Sequence, residues 1–120
     1  MYKTVKVNSN GSGAGSAICE NPRGFLRGVR IEYGGTPDAN TVVTIAEANA
    51  NSLQRTILTK TTGTDATYNP HDEIQNAAAA AQDQYTPFYF EGDVDLTVTV
   101  SAAVIDTTDA VVVRLLLSDG

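Results

Sequence analysis

The clearest indication of the fold comes from two stretches, Val111-Val112-Val113-Arg114-Leu115-Leu116-Leu117 and Leu96-Thr97-Val98-Thr99-Val100. The stretch beginning at Leu96 alternates apolar and polar residues, which is the period of a strand with one buried face. The stretch beginning at Val111 is apolar on both faces except at Arg114, so both faces need to be covered. A chain of 120 residues has little material of its own for a second face. We therefore expect a small β domain that completes its burial against other chains.

Composition and charge narrow the classes of function. The chain carries a net charge of −6, and its eight Lys and Arg residues are scattered along the sequence. Such a chain is a poor candidate for binding nucleic acid through phosphates. No apolar stretch reaches the length of a signal peptide or the roughly 20 residues of a membrane span. We expect neither a nucleic-acid partner nor a membrane partner, and no export signal.

Alternating hydrophobicity predicts seven or eight short strands. In the longest of these, Phe25, Val29, Ile31 and Tyr33 share a face that Arg27 interrupts. Turn residues separate the strands and no helix-length segment lies between them, which favours an antiparallel sandwich or barrel over a parallel sheet. The predicted strands cover residues 2–7, 24–33, 42–46, 53–59, 85–91, 96–100 and 111–117.

Two segments do not fit this alternating pattern. Residues 8–16 are rich in Gly, Ser and Asn, so we expect either a mobile loop or a hinge that makes the first strand an arm. Asn69-Pro70 before Asp72-Glu73 has the residues of a helix start, and the alanines of 77–81 favour helix. We therefore expect at most one short helix within 69–82. The predicted organisation is an N-terminal strand and flexible segment at 1–23 and a β-sandwich at 24–120, forming a single domain overall.

Two groups of polar residues are candidates for chemistry. His71 adjoins Asp72 and Glu73, but the sequence provides no nucleophile oriented against it, so a solvated loop or helix start is the favoured interpretation. Glu91, Asp93 and Asp95 alternate as calcium ligands on one side of a strand would, but Gly92 favours a simple turn. We expect no catalytic residue, no cofactor and no metal ligand.

The cysteine and the early glycines also lack a chemical pattern. Cys19 is the one cysteine of the chain, so no intrachain disulfide forms, and we expect its side chain to be buried and inert. Gly11, Gly13 and Gly15 resemble a phosphate-binding loop only in their spacing, because no Lys-Ser pair follows them.

Three arginines lie inside predicted strands, namely Arg27, Arg30 and Arg114. If Arg114 shares a face with Val112 and Leu116, that face is apolar with one cation, which is typical of a subunit interface. We therefore predict an oligomer interface at Val112, Arg114 and Leu116. The alternative remains that an arginine stem covers the sheet while its head reaches water.

Six stretches with strand and turn patterns extend over most of the chain from residue 24 onward. They are GFLRGVRIEY at 24–33, GTPDANTVVTI at 35–45, RTIL at 55–58, YNP at 68–70, LTVTV at 96–100 and DAVVVR at 109–114. Read together, these stretches resemble the small β-sandwich proteins encoded among the head genes of tailed bacteriophages, and residues 1–23 fall outside the resemblance. These proteins are capsid decoration, or cement, proteins.

The resemblance implies both a fold and a function. The implied fold is a jelly-roll-like sandwich, made in the host cytoplasm and assembled as a homotrimer on the outer capsid surface. There it would bridge subunits of the major capsid protein and resist internal genome pressure. The resemblance assigns no role to any individual residue.

Two other functions are less compatible with the residues. A carbohydrate- or receptor-binding module, for example in a head fibre or tail, usually presents exposed aromatic rings. This chain has no Trp, and we expect its cluster of Tyr85, Phe88, Tyr89 and Phe90 to pack in the core. We do not expect an enzyme, because no nucleophile–base pair is apparent at any spacing.

Overall fold

The structure is a computed structural model that describes residues 1–48, 54–75 and 81–119. Within these residues the chain is all-β and antiparallel, with eleven strands and no helix. The strands are β1 (Tyr2–Val7), β2 (Gly15–Cys19), β3 (Arg23–Tyr33), β4 (Val42–Glu47), β5 (Thr56–Thr61), β6 (Ala66–Tyr68), β7 (His71–Gln75), β8 (Ala81–Pro87), β9 (Tyr89–Glu91), β10 (Leu96–Ser101) and β11 (Val111–Ser118).

The strands form two main sheets and a separate hairpin. Sheet A has the order β1-β11-β3-β6, with β9 also paired to β3, and sheet B has the order β2-β10-β4-β5. The pairs are nested along the chain: β1 with β11, β2 with β10, β3 with β6 and β4 with β5. An antiparallel ribbon with such nested pairs rolls up into the double-sheet jelly roll. The predicted antiparallel, jelly-roll-like sandwich is confirmed, and β7–β8 and β9 are additions to its eight strands.

One hydrophobic core lies between the two sheets. Alternate residues of β11 point into it, and Val111, Val113, Leu115 and Leu117 are at most 1% exposed. The facing side chains from sheet B include Ile45 on β4 and the alternating valines and leucine of β10. For β10 this inward alternation is what the period-two pattern of its sequence predicts.

The long strand β3 departs from the predicted face. Its pairing with β11 shifts from Leu116↔Gly28 to Leu117↔Leu26, so β3 has one extra residue, Arg27, at a β-bulge. The bulge reverses the alternation, and Leu26 is buried on the same side as Val29 and Ile31. Phe25 therefore does not share the face of Val29, and Arg27 points outward instead of interrupting the core.

The residues typical of a helix start at Asn69 precede a strand instead, and the described part of 69–82 contains no helix, which the expectation of at most one short helix allows. Residues 71–75 are the strand β7, which pairs with β8 in the register His71↔Pro87 and Asp72↔Thr86. The fixed φ of Pro70 and the polar residues after it suit the start of a strand as well as the start of a helix. Most of the alanine run lies at residues 76–80, outside the described residues.

The predicted strand at 85–91 is divided between two pairings. Residues up to Pro87 belong to β8 in the hairpin, whereas Tyr89–Glu91 form β9 and pair with β3. The division falls at Phe88, whose carbonyl accepts a hydrogen bond from the Leu26 N–H at 2.8 Å. Pro87 ends β8, as expected for a residue that cannot donate to a ladder.

The N-terminal 23 residues supply one strand to each sheet. β1 pairs with β11 along its whole length, and Val5 and Val7 are core residues. The Gly/Ser segment is held more tightly than its composition predicts, because Ser9 exchanges backbone and side-chain hydrogen bonds with Thr107. Gly13 has φ +77°, and a Cβ there would lie 2.4 Å from the Ala103 carbonyl oxygen. Small residues thus let this segment pack against the loop before β11.

No helix in the described part of the chain has the length and hydropathy that crossing a membrane requires.

Candidate docking surface

The outer face of β11 brings together the three residues that the sequence analysis selected for an interface. Val112, Arg114 and Leu116 alternate with the buried residues of β11 and are each half-buried. β11 lies between β1 and β3, so these side chains stand in the middle of sheet A. Their common face is thus an observed feature, and their role in an oligomer remains a prediction.

A groove follows this face across three strands. In one cross-strand row, Leu116 lies between Tyr2 of β1 and Gly28 of β3, and in the next, Arg114 lies between Thr4 and Arg30. Because Gly28 has no side chain, the sheet surface is lowered beside Leu116. The resulting basic groove has a volume of about 350 Å³. It is lined by Tyr2, Arg27, Gly28, Val29, Arg30, Thr67, Arg114 and Leu116.

The arginines of the basic groove differ in how their charges are compensated. Arg114 forms an ion pair with Glu32 on the neighbouring strand. The Arg30 guanidinium donates to the Thr67 hydroxyl at 3.3 Å, and Arg27 Nε donates to the Ser118 hydroxyl at 2.8 Å. Within the described residues, neither Arg27 nor Arg30 contacts a carboxylate. The stem-and-head alternative therefore stays open, and all three arginines line the same groove.

The face around the groove is positive although the chain is acidic. Lys6, Arg27, Arg30 and Arg114 provide four of the eight cations of the chain, and Glu32 provides the single anion among them. This gives a net charge of +3 in a chain whose total is −6, so the remaining residues sum to −9. Such segregation of charge favours association with an acidic surface.

The outer face of sheet B has the opposite character. Its outward positions are small, hydroxylated or apolar and, in the registers that the structure describes, none is charged. These positions are Ser16, Ile18, Val42, Thr44, Ala46, Thr56, Thr59, Thr61, Thr97, Thr99 and Ser101. The two outer faces of the sandwich are therefore chemically distinct.

A partly buried ionic cluster that the sequence analysis missed lies around Arg55. Arg55 Nε is 2.7 Å from Glu47 Oε1, and a second nitrogen is 3.3 Å from Asp72 Oδ2. The guanidinium also lies over the ring of Phe88, 5.3 Å from its centroid. Arg55 thereby ties sheet B to the β7–β8 hairpin. Glu47 and Arg55 flank the connection of two adjacent antiparallel strands. This proximity was the one feature of the sequence that could have predicted their ion pair.

The electrostatics of this cluster follow from its burial. Burial disfavours the Glu47 carboxylate, but the side-chain and backbone hydrogen bonds that Arg55 donates outweigh this, and the pKa of Glu47 is lowered. The hydrogen bond to Glu47 raises the pKa of Arg55. The cluster is fully paired, so its role is structural.

The other candidate residues are not assembled into a reactive group. His71 is exposed at the start of β7, and its Nδ1–H donates to the Asn69 carbonyl at 2.9 Å. Asp95 accepts a hydrogen bond from the Asn21 N–H at 2.9 Å, in the turn that precedes β10. Over residues 1–48, 54–75 and 81–119, no three His, Cys, Asp or Glu side chains are grouped so that they could hold a metal ion. Cys19 is buried, and desolvation raises its pKa.

The aromatic cluster is divided between the core and the surface. Phe88 and Phe90 are buried as expected, whereas Tyr85 and Tyr89 are exposed. The ring of Tyr89 packs against that of Phe25, with centroids 4.8 Å apart. The prediction of core packing therefore holds for the two phenylalanines only.

The fold and this surface define a jelly-roll β-sandwich with one basic, partly apolar outer face and one uncharged outer face. Comparisons with descriptions of protein families, with curated proteins and with solved structures find no match.

Proposed function

We propose that this chain is a structural virion protein that decorates a tailed-phage capsid and cements it by bridging subunits of the major capsid protein. The observation that carries the proposal is the outer face of β11, where Val112, Arg114 and Leu116 stand half-buried in the centre of sheet A. Arg114 and Leu116 also line the basic groove, so part of this face is open to solvent. A central strand that keeps apolar side chains on its outer face is suited to burial against another chain.

Magnitudes support a role in assembly. Complete burial of a Val or Leu side chain contributes roughly 1.5–3 kcal/mol, and Val112 and Leu116 have part of this still to gain. A single contact of that size does not hold two proteins together, because association costs at least several kcal/mol. Repetition around a homotrimer, and over the many copies on a capsid surface, multiplies the contact. The proposal therefore places the chain on the outer capsid surface as a trimer.

The test is co-sedimentation of the purified chain with assembled phage heads that lack it, compared with free capsid subunits. We expect binding to assembled heads and weak binding to free subunits. Leu116→Asp should reduce head binding at least about tenfold, since it places a charge at the centre of the contact. The matched control is Thr99→Asp on the outer face of sheet B, which should bind as the wild type does. Equal binding by both variants, or no binding by the wild type, would contradict the proposal.

A carbohydrate- or receptor-binding module is the second candidate, and the exposed ring of Tyr89 favours it. Tyr89 is 46% exposed and stacks on Phe25, with Arg27 over the Phe25 ring at 5.3 Å. An exposed aromatic ring beside a cation is the kind of platform on which a sugar ring packs. A glycan screen of the wild type and Tyr89→Ala separates the candidates: a hit that the variant loses supports the module, and no hit removes it.

A further inference from the structure

The basic groove contains more positive charge than its own sheet compensates. Arg30 and Arg114 are direct cross-strand partners, a placement in which like charges destabilise a sheet unless an anion lies between them. Arg114 has Glu32, whereas Arg30 has the Thr67 hydroxyl and Arg27 has the Ser118 hydroxyl. Guanidinium groups of this kind bind carboxylates through paired hydrogen bonds.

The same groove offers an apolar surface beside its cations. Leu116 is half-buried and Tyr2 is 66% exposed, and the two are cross-strand partners at one end of the groove. A Cβ added at Gly28 would meet only the Tyr68 carbonyl oxygen, at 3.7 Å, so the space there is not filled by neighbouring atoms. The occupant that fits the groove therefore carries carboxylates and can fill a space of side-chain size.

The chain itself has a surface with such carboxylates, which we call the acidic tip. It consists of Glu20 in the turn before β3, Glu91 at the end of β9 and Asp93 in the following turn, all three exposed. The hydrogen bond from the Asn21 N–H to Asp95 joins the two turns. Glu32, Glu47 and Asp72 are paired with arginines, whereas no ion pair of the described residues includes a member of the acidic tip, although Arg23 is the cross-strand partner of Glu91 and its guanidinium lies beside Gly92.

The symmetry of a contact between two copies determines whether the basic groove meets another groove or an acidic surface. An isologous contact centred on the basic groove would bring the arginines of one copy against those of the other. A heterologous contact instead opposes the +3 face of one copy to a surface drawn from the −9 remainder. Heterologous contacts close into rings when the rotation allows, which is the arrangement that a trimer needs.

We propose that the basic groove of one copy binds the acidic tip of a second copy of this chain. Arg27 and Arg30 receive the carboxylates of Glu91 and Asp93, and the turn of the tip covers Leu116. This inference rests on the proposed function, in that it names the partner of the same outer face. It goes further in assigning one self-contact to two different patches of the chain.

The experiment is a measurement of mass by light scattering coupled to size exclusion, at several concentrations and salt levels, on reversed-charge variants. Arg30→Glu and Asp93→Arg should each weaken association at least about tenfold, because each places like charges across the contact. The double variant with both changes should associate to within about threefold of the wild type, since the charges are complementary again. Gly28→Val should also weaken association, because it fills the groove without changing charge.

A charge-matched variant outside the groove is the control for this experiment. Lys60→Glu changes the net charge as Arg30→Glu does but lies outside the groove, over the ring of Tyr68 at 4.9 Å. It should associate as the wild type does, and unchanged unfolding midpoints establish that all variants fold. A monomeric wild type, or a double variant that does not recover, overturns the inference. If the wild type is monomeric but Arg30→Glu loses binding to phage heads, the groove takes an acidic segment of the capsid; the self-contact and the trimer then fail, while the cementing role stands.

Discussion

At the scale of single residues, Arg55 illustrates how the jelly roll attaches its extra hairpin. One guanidinium contacts the Glu47 carboxylate on β4, Asp72 on β7 and, at 3.4 Å, the Tyr89 carbonyl of β9. Glu47 is 4% exposed in its side chain, so its charge is almost removed from water. Such a group is stabilising only while its partner is present, because an unpaired buried charge is costly.

The Glu47 carboxylate should make stability depend on pH. Its folded-state pKa is lowered from 4.5, so its contribution is complete above that ordinary value and is lost as pH falls through the lowered one. Glu47→Gln should reduce the free energy of unfolding at neutral pH by about 2 kcal/mol, and the difference from the wild type should shrink on acidification. Denaturant unfolding at a series of pH values measures this. Asp119→Asn, an exposed control, should stay within about 0.5 kcal/mol of the wild type throughout; a pH-independent loss for Glu47→Gln would contradict the ionic explanation.

At the scale of elements, the two faces of β11 should differ in what they contribute to folding. Leu115 is fully buried between the sheets, whereas Val112 is half-buried on the outer face. Leu115→Ala should cost about 2–5 kcal/mol of unfolding free energy, since it leaves a cavity in the core. Val112→Ala should cost less than about 1 kcal/mol in the monomer, because its outer face has no partner to lose. Chemical denaturation of both variants at low concentration measures the difference, and equal losses would mean that the outer face is covered within the chain.

Individual strands also show which parts of the fold could be predicted from the sequence. The alternation in β10 and the doubly apolar run of β11 are local signals, and both strands lie where the sequence places them. The bulge at Arg27 depends on the register with β11, which no local pattern contains, so the outward face of β3 was assigned incorrectly. The contribution of Arg27 to the groove depends on that bulge, because without it Arg27 would point into the core. The hairpin was missed for a different reason: the residues around Pro70 start a strand as readily as a helix.

At the scale of the whole molecule, the jelly roll determines what each end of the chain can do. Because the pairs are nested, the first strand lies beside the last, and β1 forms the edge of sheet A next to β11. Its outward side chains border the basic groove through Tyr2, while its inward side chains complete the core. β1 thus links the stability of the sandwich to the surface that we propose for docking.

Removal of residues 1–7 should therefore unfold the chain, not merely release an arm. The deletion exposes the edge of β11 and loses the burial of Val5 and Val7, each worth roughly 1.5–3 kcal/mol, from a total stability that is typically about 5–15 kcal/mol. An unpaired apolar edge strand also promotes aggregation. Circular dichroism and thermal unfolding of the truncated chain measure the effect. The matched control is the double variant Thr4→Ala with Lys6→Ala, which keeps β1 and changes only outward side chains. The control should unfold within a few degrees of the wild type. If the truncated chain instead unfolds at the wild-type temperature, β1 is dispensable for folding, and the first seven residues are available to act as an arm between neighbouring subunits.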